Sequence, residues 1–283
     1  ILFLYSSIFS PSVFAVSSID FEIKGVSGDI EDNVSAYLST ISPPKGKNYS
    51  YFESKVRKNL IESVQVFGFY RPEITVHLTV DDDELLVFID IKLGERVTLS
   101  VIHVEINGDA KNDTDFIHLL NEIPLHRGDY LSHADYDKFK ADISKLALAR
   151  GYFDGKWLKS EVRVSVKKNS AEIDLIFDSK QRYVFGESVL SNQTKSALIV
   201  SELATFEKGQ AYESHLVAEY SLALFNSRYF LSASVVPNIN GRSDGKIPMV
   251  ITVINHPSNT YEVGVGYLSD VGVRGTLGWK KPW

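Results

Sequence analysis

The chain has 283 residues, 44% hydrophobic and 23% charged, and its 30 basic and 36 acidic side chains leave a net charge of −6. That balance excludes a nucleic-acid binder and a polybasic membrane-surface protein. The absence of cysteine from this sequence excludes disulfides, thiolate metal sites and a cysteine nucleophile.

Residues 1–15, ILFLYSSIFSPSVFA, carry no charge and finish in Val13-Phe14-Ala15, a small-x-small cleavage pattern. The apolar run is too short to span a bilayer as a helix, so it predicts a secretory signal peptide cut after Ala15, with a few residues expected before Ile1.

From Ser18 to Asn255 the sequence repeats at a period of roughly eighty residues. One marker is an aromatic step at a helix end: Gly68-Phe69-Tyr70, Gly151-Tyr152-Phe153 and Arg228-Tyr229-Phe230. A second is a glycine and tyrosine before the preceding helix, at Gly46 and Tyr49, Gly128 and Tyr130, and Gly209 and Tyr212. A third is an opening strand running into a polar turn, from Phe21, Val104 and Val184. Each copy reads as strand, two helices, then a strand pair.

In the first copy Phe52, Val56, Leu60, Ile61 and Val64 recur at helical spacing and give one apolar face. Gly68 ends that helix, because a left-handed position costs glycine nothing. ITVHLTV from Ile74 and LLVFIDI from Leu85 flank the acidic turn Asp81 to Glu84 and predict an antiparallel hairpin. In the second copy Tyr136, Phe139, Ile143, Leu146 and Ala147 form the helix stripe, and VRVSV from Val162 pairs with AEIDLIF from Ala171. In the third, Leu216, Tyr220, Ala223 and Leu224 face inward, and ASVVPNI from Ala233 joins MVITVI from Met249 through a loop over 240–245. About eighty residues suffice for a small two-layer core. The aromatic steps are expected to wedge helix against sheet. Arg228 replaces glycine in the third copy, so its cap is expected to differ, with Asn226 or Ser227 taking the turn.

The last stretch alternates with period two. Tyr261, Val263, Val265 and Tyr267 are large and apolar, while Glu262, Gly264 and Gly266 are small or polar. After Ser269-Asp270 the parity resumes, with Val273, Leu277 and Trp279 against Arg274, Thr276, Gly278 and Lys280. Such a hairpin, with Tyr261, Tyr267, Trp279 and Trp283 near its ends, suits an outer-membrane barrel, because lipid faces one side and a watery lumen the other. Taken alone it more often marks an ordinary amphipathic hairpin on a soluble sheet. An isolated hairpin is marginal in water and leaves unpaired edges in lipid. The chain is therefore expected to continue past Trp283 as a barrel.

Other chemistry finds little support. The histidines at 77, 103, 118, 126, 133, 215 and 256 form no pair at metal-binding helical spacing. The acidic cluster at Asp81 lacks the glycine and alternating ligands of a calcium loop and reads as a solvated turn. Asn112-Asp113-Thr114-Asp115 reads as a helix N-cap. Gly264-Val265-Gly266 has no following helix to hold a phosphate, and neither a GxSxG elbow nor a P-loop occurs. The expectation is no enzyme, no metal and no cofactor.

The conjunction of signal peptide, three repeats and final hairpin resembles the N-terminal half of the TamA family. These are the outer-membrane subunits of the translocation and assembly module, in the superfamily that includes the BamA insertases. The likeness is sharpest at ALARGYFDGKW from Ala147, RYVFG from Arg182 and the closing GWKKPW. It implies an α+β chain of three tandem POTRA domains, each β-α-α-β-β, at 18–94, 96–179 and 181–256, followed by the first hairpin of a truncated transmembrane β-barrel at 259–283. In each domain it implies that the third strand is central and the second lies on an edge.

An open edge accepts an extended peptide through main-chain bonds and so tolerates many sequences. The expected receiving strands run from Ile74 through Thr75, Val76 and His77 to Val80, from Val162 through Arg163 and Val164 to Val166, and from Ala233 through Ser234 and Val235 to Val236. Pro237 and the Asp81 turn limit them. Gly264 and Gly266 weaken the strand that also holds Val263 and Val265. The resemblance makes this strand one side of a lateral seam for membrane insertion. It also implies an outer-membrane location with the POTRA domains in the periplasm, unfolded outer-membrane proteins as clients, and an inner-membrane-anchored TamB-like partner. The alternatives are a soluble periplasmic POTRA scaffold and a two-partner secretion transporter.

Overall fold

A computed structural model describes residues 17–281 apart from 45, 47, 82, 193–195, 258 and 271. The expected signal peptide lies outside the described residues. The first repeat is β1 (Ser18–Lys24), α1 (Asp29–Ser39), α2 (Tyr49–Gln65), β2 (Glu73–Asp81) and β3 (Glu84–Lys92). Its sheet has the order β1-β3-β2. β1 is parallel to β3, with Phe21 opposite Val87, and β2 is antiparallel to β3, with Leu78 opposite Val87. A parallel pair requires a crossover, and α1 with α2 supplies it.

Alternation decides which face of β3 is covered. Leu85, Val87, Ile89 and Ile91 are buried against Val34 and Leu38 of α1 and Phe52, Val56, Leu60 and Val64 of α2. The apolar stripe read from the sequence therefore lies on the core side of α2, except Ile61, which is exposed.

The second repeat is β4 (Thr98–Asn107), α3 (Thr114–Asn121), α4 (His133–Ala149), β5 (Lys156–Ser165) and β6 (Ser170–Asp178). The third is β7 (Val184–Leu190), α5 (Ala197–Glu202), α6 (Ser214–Asn226), β8 (Phe230–Pro237) and β9 (Lys246–Asn255). Their sheets run β4-β6-β5 and β7-β9-β8. All three modules thus share one βααββ topology with the third strand central. β5 starts six residues before Val162 and ends before Val166, which sits in the turn. In the third core Phe185 stacks on Phe206 at 3.9 Å, and Tyr220, its phenol pushed up to about 12 by burial, donates to the Val200 carbonyl.

The chain packs as two compact units, one holding the chain through Val104 with Ile123–Lys140 and Ser160–Leu175, the other holding Glu105–Glu122, Ala141–Lys159 and the chain from Ile176. The second unit includes a separate two-stranded sheet, β10 (Thr260–Leu268) and β11 (Gly272–Lys280).

Candidate strand edges, joints and hairpin

Among the described residues β2 and β8 each pair with a single strand, so each has one outer edge. The first holds Ile74, Thr75, Val76 and His77. The Ile74 carbonyl already accepts a bond from Arg57 Nη1 of α2, which leaves the strand from Thr75 onward. On β8 the Val235 N–H donates to Ser221 Oγ at 3.1 Å, and Asn238 N–H bonds back to the Pro248 carbonyl. Strand alternation then turns Ser234 toward β9 and Ala233, Val235 and Pro237 outward. Proline has no donor and the Val235 donor is taken, so β8 offers a poor edge. On β5, Arg163 makes ion pairs with Glu161 and Glu172 at 3.0 and 3.4 Å, and Val162 and Val164 alternate with it.

The starts of β4 and β7 are strapped. Leu99 N–H donates to the Asp129 carbonyl and Gly128 N–H to the Leu99 carbonyl, both at 2.8 Å. Phe185 with Gln210 and Gly209 repeats the pattern at 2.8 Å. Gly128 (φ 94) and Gly209 (φ 88) make the turn that allows it. This corrects the tyrosine marker. Tyr130 bridges Thr98 where Ala211 bridges Val184, so Tyr130 matches Ala211, and Tyr212 matches Leu131. The tyrosine follows its glycine at two positions in one copy and three in the other, and hydrogen bonding follows the glycine.

The helix-ending glycines build joints between consecutive modules. Gly68 (φ 91) lets Phe69 N–H reach the Val64 carbonyl, and its own carbonyl accepts from Val97 at 2.8 Å. Arg96 Nε donates to the Phe67 carbonyl at 2.9 Å, and its guanidinium lies 4.6 Å from the Tyr130 ring centroid. Tyr70 bonds His133 Nε2 at 2.8 Å. Burial pushes the His133 imidazole below its ordinary value, with Asp137 opposing.

The second joint repeats the first. Gly151 (φ 84) accepts from Tyr183 N–H at 2.9 Å, and Arg182 Nε donates to the Arg150 carbonyl at 2.8 Å. Around it lies an ionic cluster that sequence reasoning missed. The Asp113 carboxylate accepts from Arg150 Nε at 3.1 Å and Tyr152 Oη at 2.9 Å, while capping α3 through Asp115 N–H. Burial alone would raise the Asp113 carboxyl, and these three bonds together hold it below its usual range. Burial and the adjacent Asp113 push the Tyr152 phenol up. Glu213 bonds both Arg150 and Arg182, at 3.1 and 3.3 Å. Phe153 packs edge-on against Tyr183 and Tyr212.

The aromatic step therefore serves two purposes. Phe69, Tyr152 and Phe230 are buried in module cores as wedges, whereas Tyr70 and Phe153 reach the joints and Tyr229 is exposed. In the third module Asn226 and Ser227 do not take the left-handed turn. Ser227 is right-handed (φ −63) and Arg228 itself adopts φ 65. The cap differs through Ser227, whose Oγ accepts from Tyr229 N–H at 3.4 Å.

In the final hairpin Tyr261 lies opposite Trp279, Val263 opposite Leu277 and Tyr267 opposite Val273, while Gly264 and Gly266 face Thr276 and Arg274. Pairing in this register puts seven large apolar residues on one face, with Leu268, opposite Gly272, on the other. Those seven side chains, Tyr261, Val263, Val265, Tyr267, Val273, Leu277 and Trp279, are 65 to 89% exposed. Among the described residues no helix is long and apolar enough to cross a membrane, and no group of three or more His, Asp or Glu could hold a metal.

Residues 20–93 match the family model of the POTRA domain described as TamA domain 1. The first module is a POTRA domain of the TamA type. Among solved structures, POTRA3-5 of Haemophilus influenzae BamA aligns at 18% identity over 85% of this chain and 96% of that one, with a TM-score of 0.46. BamA from Haemophilus ducreyi lacking POTRA domains 1-3 aligns at 14% identity over 65% of this chain and 34% of that one, with a TM-score of 0.47. POTRA1-3 of Omp85 from Anabaena aligns at 14% identity over 86% and 96%, with a TM-score of 0.34. The POTRA-like order of all three modules stands on their own sheets.

Proposed function

We propose that this chain is the periplasmic arm and first barrel hairpin of an outer-membrane translocation and assembly component. Its modules, bounded at 18–94, 96–179 and 181–256, receive unfolded outer-membrane proteins by strand addition, and the segment 259–283 begins a barrel whose seam admits new strands. The observation that carries the reading is the hairpin's one-sided apolar face, seven exposed residues backed by Gly264, Gly266, Thr276 and Arg274. In water each such side chain forgoes about 1.5–3 kcal/mol of burial, and lipid supplies that burial. A lateral seam bounded by the strand from Val263 to Gly266 follows from its two glycines, which add no packing across the pair.

Strand addition needs no nucleotide or metal. The client provides the driving force by burying apolar surface in lipid and closing its own edge. β2 from Thr75 onward is the receiving edge this reading favours, with β5 second and β8 last. A TamB-like protein anchored in the inner membrane is the proposed partner of the first module, which rests on the match at 20–93.

The test has two arms. Membrane fractionation of the full-length protein should place it with the outer membrane, and recovery in the soluble fraction would favour the scaffold reading. A photocrosslinker at His77 should capture unfolded client, and His77→Pro in a folded protein should abolish capture measured from a neighbouring position. Undiminished capture would overturn β2 as the receiving edge.

A further inference from the structure

α6 carries two apolar faces. Val217, Tyr220 and Leu224 are buried in the third core, which is what the fold requires. A second row, Ala218, Leu222 and Phe225, follows at spacings of four and three and points to solvent, and Tyr229 is exposed just beyond the helix end. Leu222 is 58% exposed, Phe225 55%, Tyr229 45%, and the neighbouring Leu231 54%. Phe225, Arg228, Leu231 and His256 border a groove of about 580 Å³. The acidic Glu219 stands at the middle of the helix, one turn before Leu222.

Strand register fixes which end of the module this is. Phe230 pairs with Asn255, the last residue of β9, so the end of α6, the start of β8 and the exit of the chain toward β10 lie together. Only five residues separate Asn255 from Tyr261, a reach of at most about 20 Å when fully extended. Tyr261 lies opposite Trp279 at the hairpin end nearest the module, and such aromatic pairs sit at the headgroup level of a bilayer.

Arg228 supplies the chemical signal. The two other modules place glycine at this left-handed position, and a side chain there costs about 1–2 kcal/mol. Strain held at one site and relieved at its equivalents points to a task for the side chain. An exposed arginine that borders one groove with Phe225 and Leu231 is suited to a lipid phosphate with acyl chains beneath.

We infer that this end of the third module is a lipid-contact surface. Phe225, Leu222, Tyr229 and Leu231 enter the headgroup boundary of the leaflet from which the hairpin rises, and Arg228 pairs with lipid phosphate. The inference rests on the reading that the hairpin enters a bilayer. Contact at two places, strand and module, sets the height of the arm above the membrane.

These 283 residues contain no cysteine, so a cysteine introduced among them is the only one there to carry a fluorophore. The full-length protein carries a probe at Phe225, at Val265 on the hairpin, or at Val101 on β4 as a control, in vesicles of phosphatidylethanolamine and phosphatidylglycerol. Headgroup-level spin-labelled lipid is expected to quench the Phe225 probe and not the Val101 probe, while acyl-chain spin label quenches the Val265 probe. Arg228→Gly, which keeps the turn, is expected to weaken quenching at Phe225 and leave Val265 unchanged. Quenching at Val265 without quenching at Phe225 overturns the lipid contact and leaves the hairpin reading intact, with a protein segment covering the groove instead. Loss at both positions overturns both.

Discussion

Arg182 donates through Nε to the backbone carbonyl of Arg150 at 2.8 Å, the bond that Arg96 makes to Phe67 at 2.9 Å one repeat earlier. In each case the accepting carbonyl precedes the helix-ending glycine, and the residue after the arginine donates its N–H to that glycine. A joint of this kind is a fixed main-chain register between modules, which a flexible linker would not provide.

The second joint adds charge to this register. The Asp113 side chain is 2% exposed, and Arg150 is its main cationic partner. Arg150→Ala leaves that carboxylate buried with Tyr152, the Asp115 N–H and Arg182 Nη1 at 3.7 Å, and is expected to cost about 3–5 kcal/mol in denaturant unfolding. Arg182→Ala is expected to cost less, about 1–3 kcal/mol, because its bonds to two carbonyls and to Glu213 are part-exposed and water can replace them in part. Lysine at 182 should not restore the loss, since it lacks the fork that reaches both the Arg150 and Tyr212 carbonyls. Equal costs for the two alanine variants would contradict this ordering.

The first joint has a different pH response. Burial lowers the folded-state value of His133 from an unfolded value of about 6.5. Between the two values the unfolded chain binds more protons, so stability rises with pH across that window. The contribution is present above about pH 6.5 and lost as pH falls toward the folded value. Thermal melts should therefore show a lower midpoint near pH 5.5 than near pH 7.5, with His133→Gln flattening the difference. The same slope in both proteins would assign it to another group.

Two glycines with nearly equal angles should respond differently to alanine. At Gly128 (φ 94) an added Cβ meets nothing within 4 Å, so only the left-handed penalty of about 1–2 kcal/mol applies. At Gly68 (φ 91) the same atom would lie 2.5 Å from the Leu131 carbonyl oxygen, so the chain must shift as well. Gly68→Ala should cost more than Gly128→Ala and should also slow recovery of the first joint, read by hydrogen exchange at Val97. At Arg228 the opposite change, to glycine, should stabilise by about 1 kcal/mol.

What could be read from residues alone follows from periodicity. The central strands announce themselves as LLVFIDI, AEIDLIF and MVITVI, because one buried face fixes alternation and register together. The glycine of the aromatic step was legible for the same reason, being tied to a backbone angle. Asp113 was legible only as a cap. Its partners Arg150 and Tyr152 arrive from 37 and 39 positions away, and nothing local in Asn112 to Asp115 encodes that meeting. The occupied donor of Val235 was hidden likewise, since Ser221 belongs to a helix whose serine looks like any other surface position. The turn at Arg228 was misplaced because propensity favours Asn226 there, whereas the helix length set by the core decides which residue stands at its end.

The hairpin supplies a test that separates lipid from water. Arginine on the outer face of a membrane strand costs about 2–4 kcal/mol near the bilayer midplane and about 0–1 near the interfaces. Val265 lies near the middle of β10 and Tyr261 near its end, both on the apolar face, while Thr276 lies on the other. Val265→Arg should therefore impair folding of the full-length protein into vesicles severely, Tyr261→Arg mildly, and Thr276→Arg hardly at all, followed as heat-resistant mobility on gels. In water all three positions are exposed and arginine would be nearly neutral at each. A flat response across the three would place this face in solvent, whereas a graded one, deepest at Val265, requires a hydrocarbon layer against the side that carries Val263 and Leu277.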